Sequence, residues 1–170
     1  VQSSSATIAV LQNFASQPGP DGVASMLGLA GAIPILLGDN IGTTITALLA
    51  SIGQTKDAKR TAVAHCIFNI SGCLLFIWFV KPFAALIQHI SPKGPEVEVI
   101  SRQIANAHTL FNITMTLIWV CLIKFMVKIV MTLIPDGKAV DMDPAKPVFL
   151  DDKIISQPAA ALQLVAKEIL

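Results

Sequence analysis

The stretch Gly38-Asp39-Asn40-Ile41-Gly42-Thr43-Thr44-Ile45-Thr46 decides the fold, because it places a carboxylate, an amide and three hydroxyls inside an apolar part of the chain. Apolar residues precede it from 23 to 37 and follow it to 53, and a further apolar stretch covers 6–15. Each is on the order of 15 residues or fewer, whereas a helix needs roughly 20 to cross a bilayer. The pattern therefore predicts re-entrant or broken helices whose polar ends lie near the middle of a membrane.

The composition supports a membrane protein. Hydrophobic residues make up 54% of the 170-residue chain, charged residues 14%, and the mean hydropathy is +0.68. The formal net charge is +1 and no long run of Lys or Arg occurs, so nucleic acid is excluded as a partner. Cys66, Cys73 and Cys121 lie in apolar stretches without a C-x-x-C pair, which argues against a disulfide framework or a zinc site.

Two later stretches are long enough to cross a bilayer. Residues 62–80 and 105–134 are predicted as full spans, with 83–90 at the interface and 91–101 as a polar loop. The predicted fold is an all-α polytopic membrane protein with re-entrant or broken helices, two full transmembrane helices and a short cytoplasmic helix.

The basic residues predict the orientation. Lys56, Lys59 and Arg60 form the densest cluster, which places their loop in the cytoplasm. Two crossings then return Lys124, Lys128 and Lys138 to the same side, so the tail from residue 136 is expected to be cytoplasmic and the protein to lie in the cell membrane.

Ser3, Ser4 and Ser5 form a second polar element, beside the first short apolar stretch. Hydroxyls and backbone N–H groups at a helix N-terminus hold a buried oxyanion at lower cost than an Arg or Lys would inside a bilayer. Such a run is also common in loops. A small cation needs oxygen ligands instead, which Asp39, Asn40, Thr43 and Thr46 can supply, although an interfacial Asp39 would need no function. Gly38 and Gly42 can equally mark a close helix contact.

Two further segments repeat each other. Residues 64–70 and 107–113 share five of seven residues, and each places a His and an Asn four positions apart, as His65 with Asn69 and His108 with Asn112. Both pairs lie on one helix face, where an interhelical hydrogen bond is a more ordinary role than ligand binding or proton relay. The serines have no nucleophile elbow and neither His has a nearby carboxylate in sequence, so no enzyme is predicted.

Together these motifs resemble the bacterial sodium/phosphate cotransporter family, which is related to the type II animal carriers, over residues 1–134. The resemblance implies symport of sodium and inorganic phosphate, without a cofactor, and a possible homo-oligomer. It implies a phosphate site at Gln2, Ser3, Ser4 and Ser5, and sodium coordination by Asp39, Asn40 and Thr43, with Thr46 a weaker candidate. Many members of that family carry Ala or Ser where this chain has Asp39.

In that family the Q-S-S-S element occurs in each of two inverted repeats, and this chain resembles the second, with the N-terminal repeat missing. Residues 135–149 read as a linker, and 150–170 resemble the start of a PhoU-like helical domain. The alternative function is a membrane-bound phosphate sensor that acts through its cytoplasmic tail.

Overall fold

The computed structural model describes residues 4–136, which form six α-helices and no β-strand. The elements are α1 (Ser4–Ala15), α2 (Gly28–Ala50), α3 (Lys56–Phe76), a 3₁₀ turn (Ile77–Phe79), α4 (Val80–Ile90), α5 (Glu96–Cys121) and α6 (Ile123–Leu133). Three helical stretches are long and apolar enough to cross a membrane: Gly28–Ala50, Lys56–Ile90 and Glu96–Cys121. The predicted all-α membrane class is confirmed.

The predicted break in the second helix is wrong, because α2 continues through residues 38–46. The hydroxyls of Thr43 and Thr44 donate to the carbonyls of Asn40 and Ile41, at 2.9 and 2.7 Å, so they are satisfied inside the helix. A broken helix would instead leave backbone groups without partners in an apolar surrounding. The two short segments are therefore one helix of 23 residues.

Other boundaries also differ from the prediction. α1 has 12 residues and is too short to cross, as expected. The span expected at 62–80 is part of a helical stretch from Lys56 to Ile90 that includes the predicted interfacial segment. The loop expected at 91–101 is shorter, since α5 begins at Glu96, and the span expected at 105–134 is divided at Leu122 into α5 and α6. Three helical stretches, instead of the two predicted, are thus long and apolar enough to cross a membrane.

The described helices belong to a compact unit, Val1–Pro135. The predicted helical segment at 150–170 and most of the linker before it lie outside the described residues.

One serine joins three helix ends on the loop between α1 and α2. The Ser25 hydroxyl donates to the carbonyl of Ala15 at 2.6 Å and accepts from the Gly28 N–H at 3.0 Å. Its backbone N–H donates to Oε2 of Glu96 at 3.1 Å. Because α1 ends at Ala15, α2 begins at Gly28 and α5 begins at Glu96, Ser25 fixes their relative positions.

The core lies where α1, α2, α4 and α5 meet. Phe111 is fully buried, and its ring packs edge-on against Phe76, which packs in the same way against Phe83, at centroid distances of 5.1 and 4.9 Å. Gly72 of α3 faces this cluster. A Cβ atom at residue 72 would lie 2.7 Å from Cζ of Phe111 and 3.0 Å from Cγ of Met115. The absence of a side chain at Gly72 therefore lets α3 approach α5.

We expect Gly72→Ala to destabilise the protein by about 1–3 kcal/mol, because the added methyl group overpacks a buried ring that has no room to move. Thermal unfolding in detergent measures the change. Gly38→Ala is the matched control, because a Cβ atom there meets nothing within 4 Å. Equal unfolding temperatures for the two variants would contradict the packing described for α3 and α5.

Candidate functional site

The candidate site is built on one turn of α2. Asp39 is half-buried and its Oδ2 atom is fully enclosed without a hydrogen-bond partner. Asn40 is 4% exposed, and its Nδ2 atom is likewise enclosed without a partner. Buried polar atoms are normally paired, and an unpaired one costs free energy. These two adjacent unpartnered groups, inside a helix that can cross a membrane, make this turn of α2 the candidate site.

The threonines of α2 separate into two environments. Thr43 is half-buried and Thr44 is fully buried, whereas Thr46 is exposed. The hydroxyls of Thr43 and Thr44 donate hydrogen bonds to helix carbonyls, so their oxygen lone pairs remain available as acceptors. The structure thus brings Asp39, Asn40 and Thr43 together within one turn and leaves Thr46 outside this group.

Thr44 was missed by the sequence reasoning, although a signal for it existed. Thr44 follows Asn40 by four positions, and residues four apart share a helix face. Both are buried, so Thr44 lies on the same inward face as Asn40. The prediction named Thr46 instead, which is exposed on α2.

Asp39 also has a neighbour on another helix. Its carboxylate is close enough to His108 of α5 for an electrostatic interaction. The two His–Asn pairs were expected to form hydrogen bonds between helices, but they do not. The side-chain amide of Asn112 donates to the backbone carbonyl of His108 at 2.8 Å, and the amide of Asn69 donates to the backbone carbonyl of His65 at 3.1 Å. Both amides therefore bond to backbone carbonyls within their own helices.

The serines lie on a separate helix. Ser4 is half-buried and Ser5 is exposed, and they are the first two residues of α1. The opening N–H groups of a helix have no partner within it, so the start of α1 offers both hydroxyl and backbone donors. Gln2 and Ser3 lie outside the described residues. Within residues 4–136, no group of three or more His, Cys, Asp or Glu side chains could hold a metal ion.

Comparison with known families identifies the class to which this fold and site belong. The family described as Na+/Pi-cotransporter matches residues 1–91, more than half of the chain, and the chain belongs to that family. Both α1 and the whole of α2 fall within the matched residues.

Curated relatives come from bacteria and animals. The uncharacterized protein YqeW of Bacillus subtilis (strain 168) is 35% identical over 92 residues, which are 54% of this chain and 28% of that protein. Human sodium-dependent phosphate transport protein 2B is 48% identical over 59 residues, 32% of this chain and 8% of that protein. Human sodium-dependent phosphate transport protein 2C is 44% identical over 61 residues, which are 34% of this chain and 10% of that protein. The chain thus covers less than a third of these relatives, and no solved structure matches it.

We expect Asn40→Leu to raise thermal stability in sodium-free buffer by about 1–3 kcal/mol, because it removes a buried donor that has no partner. Asn69→Leu is the matched control. Asn69 is 5% exposed but its amide is bonded, so its replacement should lower stability. Thermal unfolding in detergent compares the two. A loss of stability in both variants would mean that the Asn40 amide is satisfied in the protein.

Proposed function

We propose that the complete protein carries sodium and inorganic phosphate together through the membrane, and that this chain supplies half of the binding site. The observation that carries the proposal is the enclosed, unpartnered Asp39 carboxylate oxygen on a helix able to cross a membrane. Ionisable groups at such positions are costly unless paired, and they commonly mark an ion pathway. Membership of the Na+/Pi-cotransporter family supports sodium and inorganic phosphate as the transported ions.

Sodium is assigned to the turn of α2. A sodium ion requires oxygen ligands, and a bound cation supplies the partner that Asp39 Oδ2 lacks. The carboxamide oxygen of Asn40 and the hydroxyl oxygen of Thr43 are further ligands, and Thr44 is a candidate added by its burial. Thr46, exposed on α2, is the weakest member of this set.

Phosphate is assigned to the start of α1. The side chains of Gln2, Ser3, Ser4 and Ser5 can donate hydrogen bonds, as can the first backbone N–H groups of the helix. These neutral donors avoid the cost of placing a full positive charge in the bilayer. The human relatives are named for sodium-dependent phosphate transport, which supports this choice of anion.

Transport further requires that the site opens to each side in turn. We infer that a second, inverted copy of this arrangement supplies the other half of the site and that the two halves alternate its exposure. If bound sodium raises the affinity for phosphate, then by linkage bound phosphate raises the affinity for sodium by the same factor.

The basic end of the structure supports one orientation. Nε and Nη2 of Arg60 donate to the carbonyl of Ile134 at 3.1 and 3.0 Å, so the start of α3 and the end of α6 lie together. Lys56 Nζ lies 3.5 Å from the carbonyl of Pro135. We propose that this end, with its excess of basic residues, faces the cytoplasm.

We expect Ser4→Ala to reduce phosphate uptake by about tenfold or more while leaving membrane insertion intact, because a hydrogen bond to a charged ligand contributes about 1.5–3 kcal/mol. Uptake of labelled phosphate into cells or vesicles is the measurement. Ser51→Ala is the control, since its hydroxyl donates to the Leu48 carbonyl of its own helix. Unchanged phosphate affinity and uptake in correctly inserted Ser4→Ala protein would remove this site from the proposal.

We expect Asp39→Ala to weaken sodium activation while phosphate transport is retained, because the variant keeps the other proposed sodium ligands, Asn40 and Thr43, and the separate phosphate site. The loss should shrink as sodium is raised, since mass action offsets weaker binding. Phosphate uptake is measured against sodium concentration. Asp57→Ala controls for the lost charge, because the exposed Asp57 carboxylate pairs with the Arg60 side chain of the same helix. Superimposable curves for Asp39→Ala and the unmodified protein would leave Asp39 without a ligand role.

A further inference from the structure

Three helices extend from one junction, and each carries a polar residue at a similar distance from it. The hydroxyl and the N–H group of Ser25 hold together the end of α1 and the starts of α2 and α5. The polar residues lie 11 or 12 positions from these helix ends: Ser4 on α1, Asp39 on α2 and His108 on α5. At a rise of about 1.5 Å per residue, each lies roughly 16–18 Å from the junction. The start of α1, the polar turn of α2 and His108 thus lie at a similar depth.

The register between α1 and α5 is fixed by a hydrogen bond between them. The two helices run in opposite directions, because α1 ends at the junction where α5 begins, and they pack against each other. The side-chain amide of Gln12 donates to the carbonyl of Ser101 at 3.0 Å. These two residues therefore mark one level of the packed pair.

The same register brings His108 opposite the start of α1. Ser5 lies seven residues before Gln12, and His108 lies seven residues after Ser101. Seven residues are close to two turns, so each pair shares a helix face, and each separation covers roughly 10 Å. Because the helices are antiparallel, both steps lead away from the junction. His108 is thereby placed at the level of Ser5 and of the half-buried Ser4.

The His108 side chain has donors available. It is half-buried, and the Asp39 carboxylate of α2 is close enough for an electrostatic interaction. Within residues 4–136, neither nitrogen of its ring forms a hydrogen bond. An imidazole carries at least one N–H donor in either protonation form. A polar group at this depth in a membrane span is costly without a partner, and such groups commonly mark the path of a transported ion.

The repeated His–Asn motif provides an internal comparison. His65 occupies the equivalent position in α3, and the amide of Asn69 bonds to its carbonyl as the amide of Asn112 bonds to that of His108. His65, however, is exposed and lines a surface groove. The local motif is therefore shared, whereas the position between α1 and α2 belongs to His108.

We propose that His108 of α5 donates a hydrogen bond to the phosphate held at the start of α1. It adds a donor from a second helix to the hydroxyl and backbone donors of Ser4 and Ser5. This inference depends on the proposed function, because it assigns a further ligand to the same phosphate.

Phosphate uptake by the complete protein in vesicles tests the proposal, with the KM for phosphate measured at saturating sodium. We expect His108→Leu to raise this KM by about tenfold or more, because a hydrogen bond to a charged ligand is lost. His108→Gln keeps an N–H donor and should have a KM between those of the leucine variant and the unmodified protein. His65→Leu is the matched control and should leave the KM unchanged.

The kinetic pattern separates this role from others. An unchanged KM for phosphate in His108→Leu, or equal KM values for the leucine and glutamine variants, overturns the proposal. A change confined to sodium activation at saturating phosphate also overturns it, because His108 would then act on the cation. A lower maximal rate with an unchanged KM for phosphate would show a structural role only.

A labelling experiment covers the case in which His108→Leu does not insert into the membrane. In a background without the native cysteines, bound phosphate and sodium should slow maleimide labelling of His108→Cys several-fold and leave that of His65→Cys unchanged. Equal labelling rates of His108→Cys with and without phosphate overturn the proposal. If the unmodified protein shows no sodium-dependent phosphate uptake, the proposed function fails as well. Normal uptake by the unmodified protein, with an unchanged KM in His108→Leu, overturns the role of His108 alone.

Discussion

Inside a bilayer, backbone and side-chain polar groups have no water to bond with, and this constraint shapes α2. The helix keeps its backbone hydrogen bonds through residues 38–46, and the hydroxyls of Thr43 and Thr44 donate hydrogen bonds to its carbonyls. Asp39 Oδ2 and Asn40 Nδ2 are left enclosed without partners. In the proposed function, a sodium ion supplies the partner that Asp39 Oδ2 lacks.

The sequence located the polar turn of α2 but predicted the wrong geometry for it. The polar side chains at 38–46 do include two enclosed, unpartnered atoms, but Gly38 and Gly42 were interpreted as a break in the helix. Both glycines fit within an apolar helix, because Cβ atoms at either position would meet nothing within 4 Å. The apolar surroundings of α2 keep the helix continuous, and the helix propensities of individual residues do not include this effect. The all-α membrane class followed from the composition and from the lengths of the apolar stretches.

Contacts between distant segments were beyond the reach of the sequence. The repeated His–Asn pattern suggested bonds between helices, yet both amides bond within their own helix. The approach of His108 to Asp39 depends on how α2 packs on α5, and Gly72 permits the close contact of α3 with Phe111. Thr44 could have been found by periodicity once α2 was treated as continuous. The contacts of Asp39 with His108 and of Gly72 with Phe111 join residues 69 and 39 positions apart, so they follow from helix packing that the sequence pattern does not report.

The central claim is that sodium and phosphate cross the membrane together, and concentrative uptake tests it most directly. The complete protein is reconstituted into vesicles, and labelled phosphate is measured inside with an inward sodium gradient and with equal sodium on both sides. The account predicts accumulation above the external concentration only with the gradient, followed by decay as the gradient is lost. Phosphate that binds to the protein but never accumulates, with or without a gradient, would contradict transport and favour a phosphate sensor.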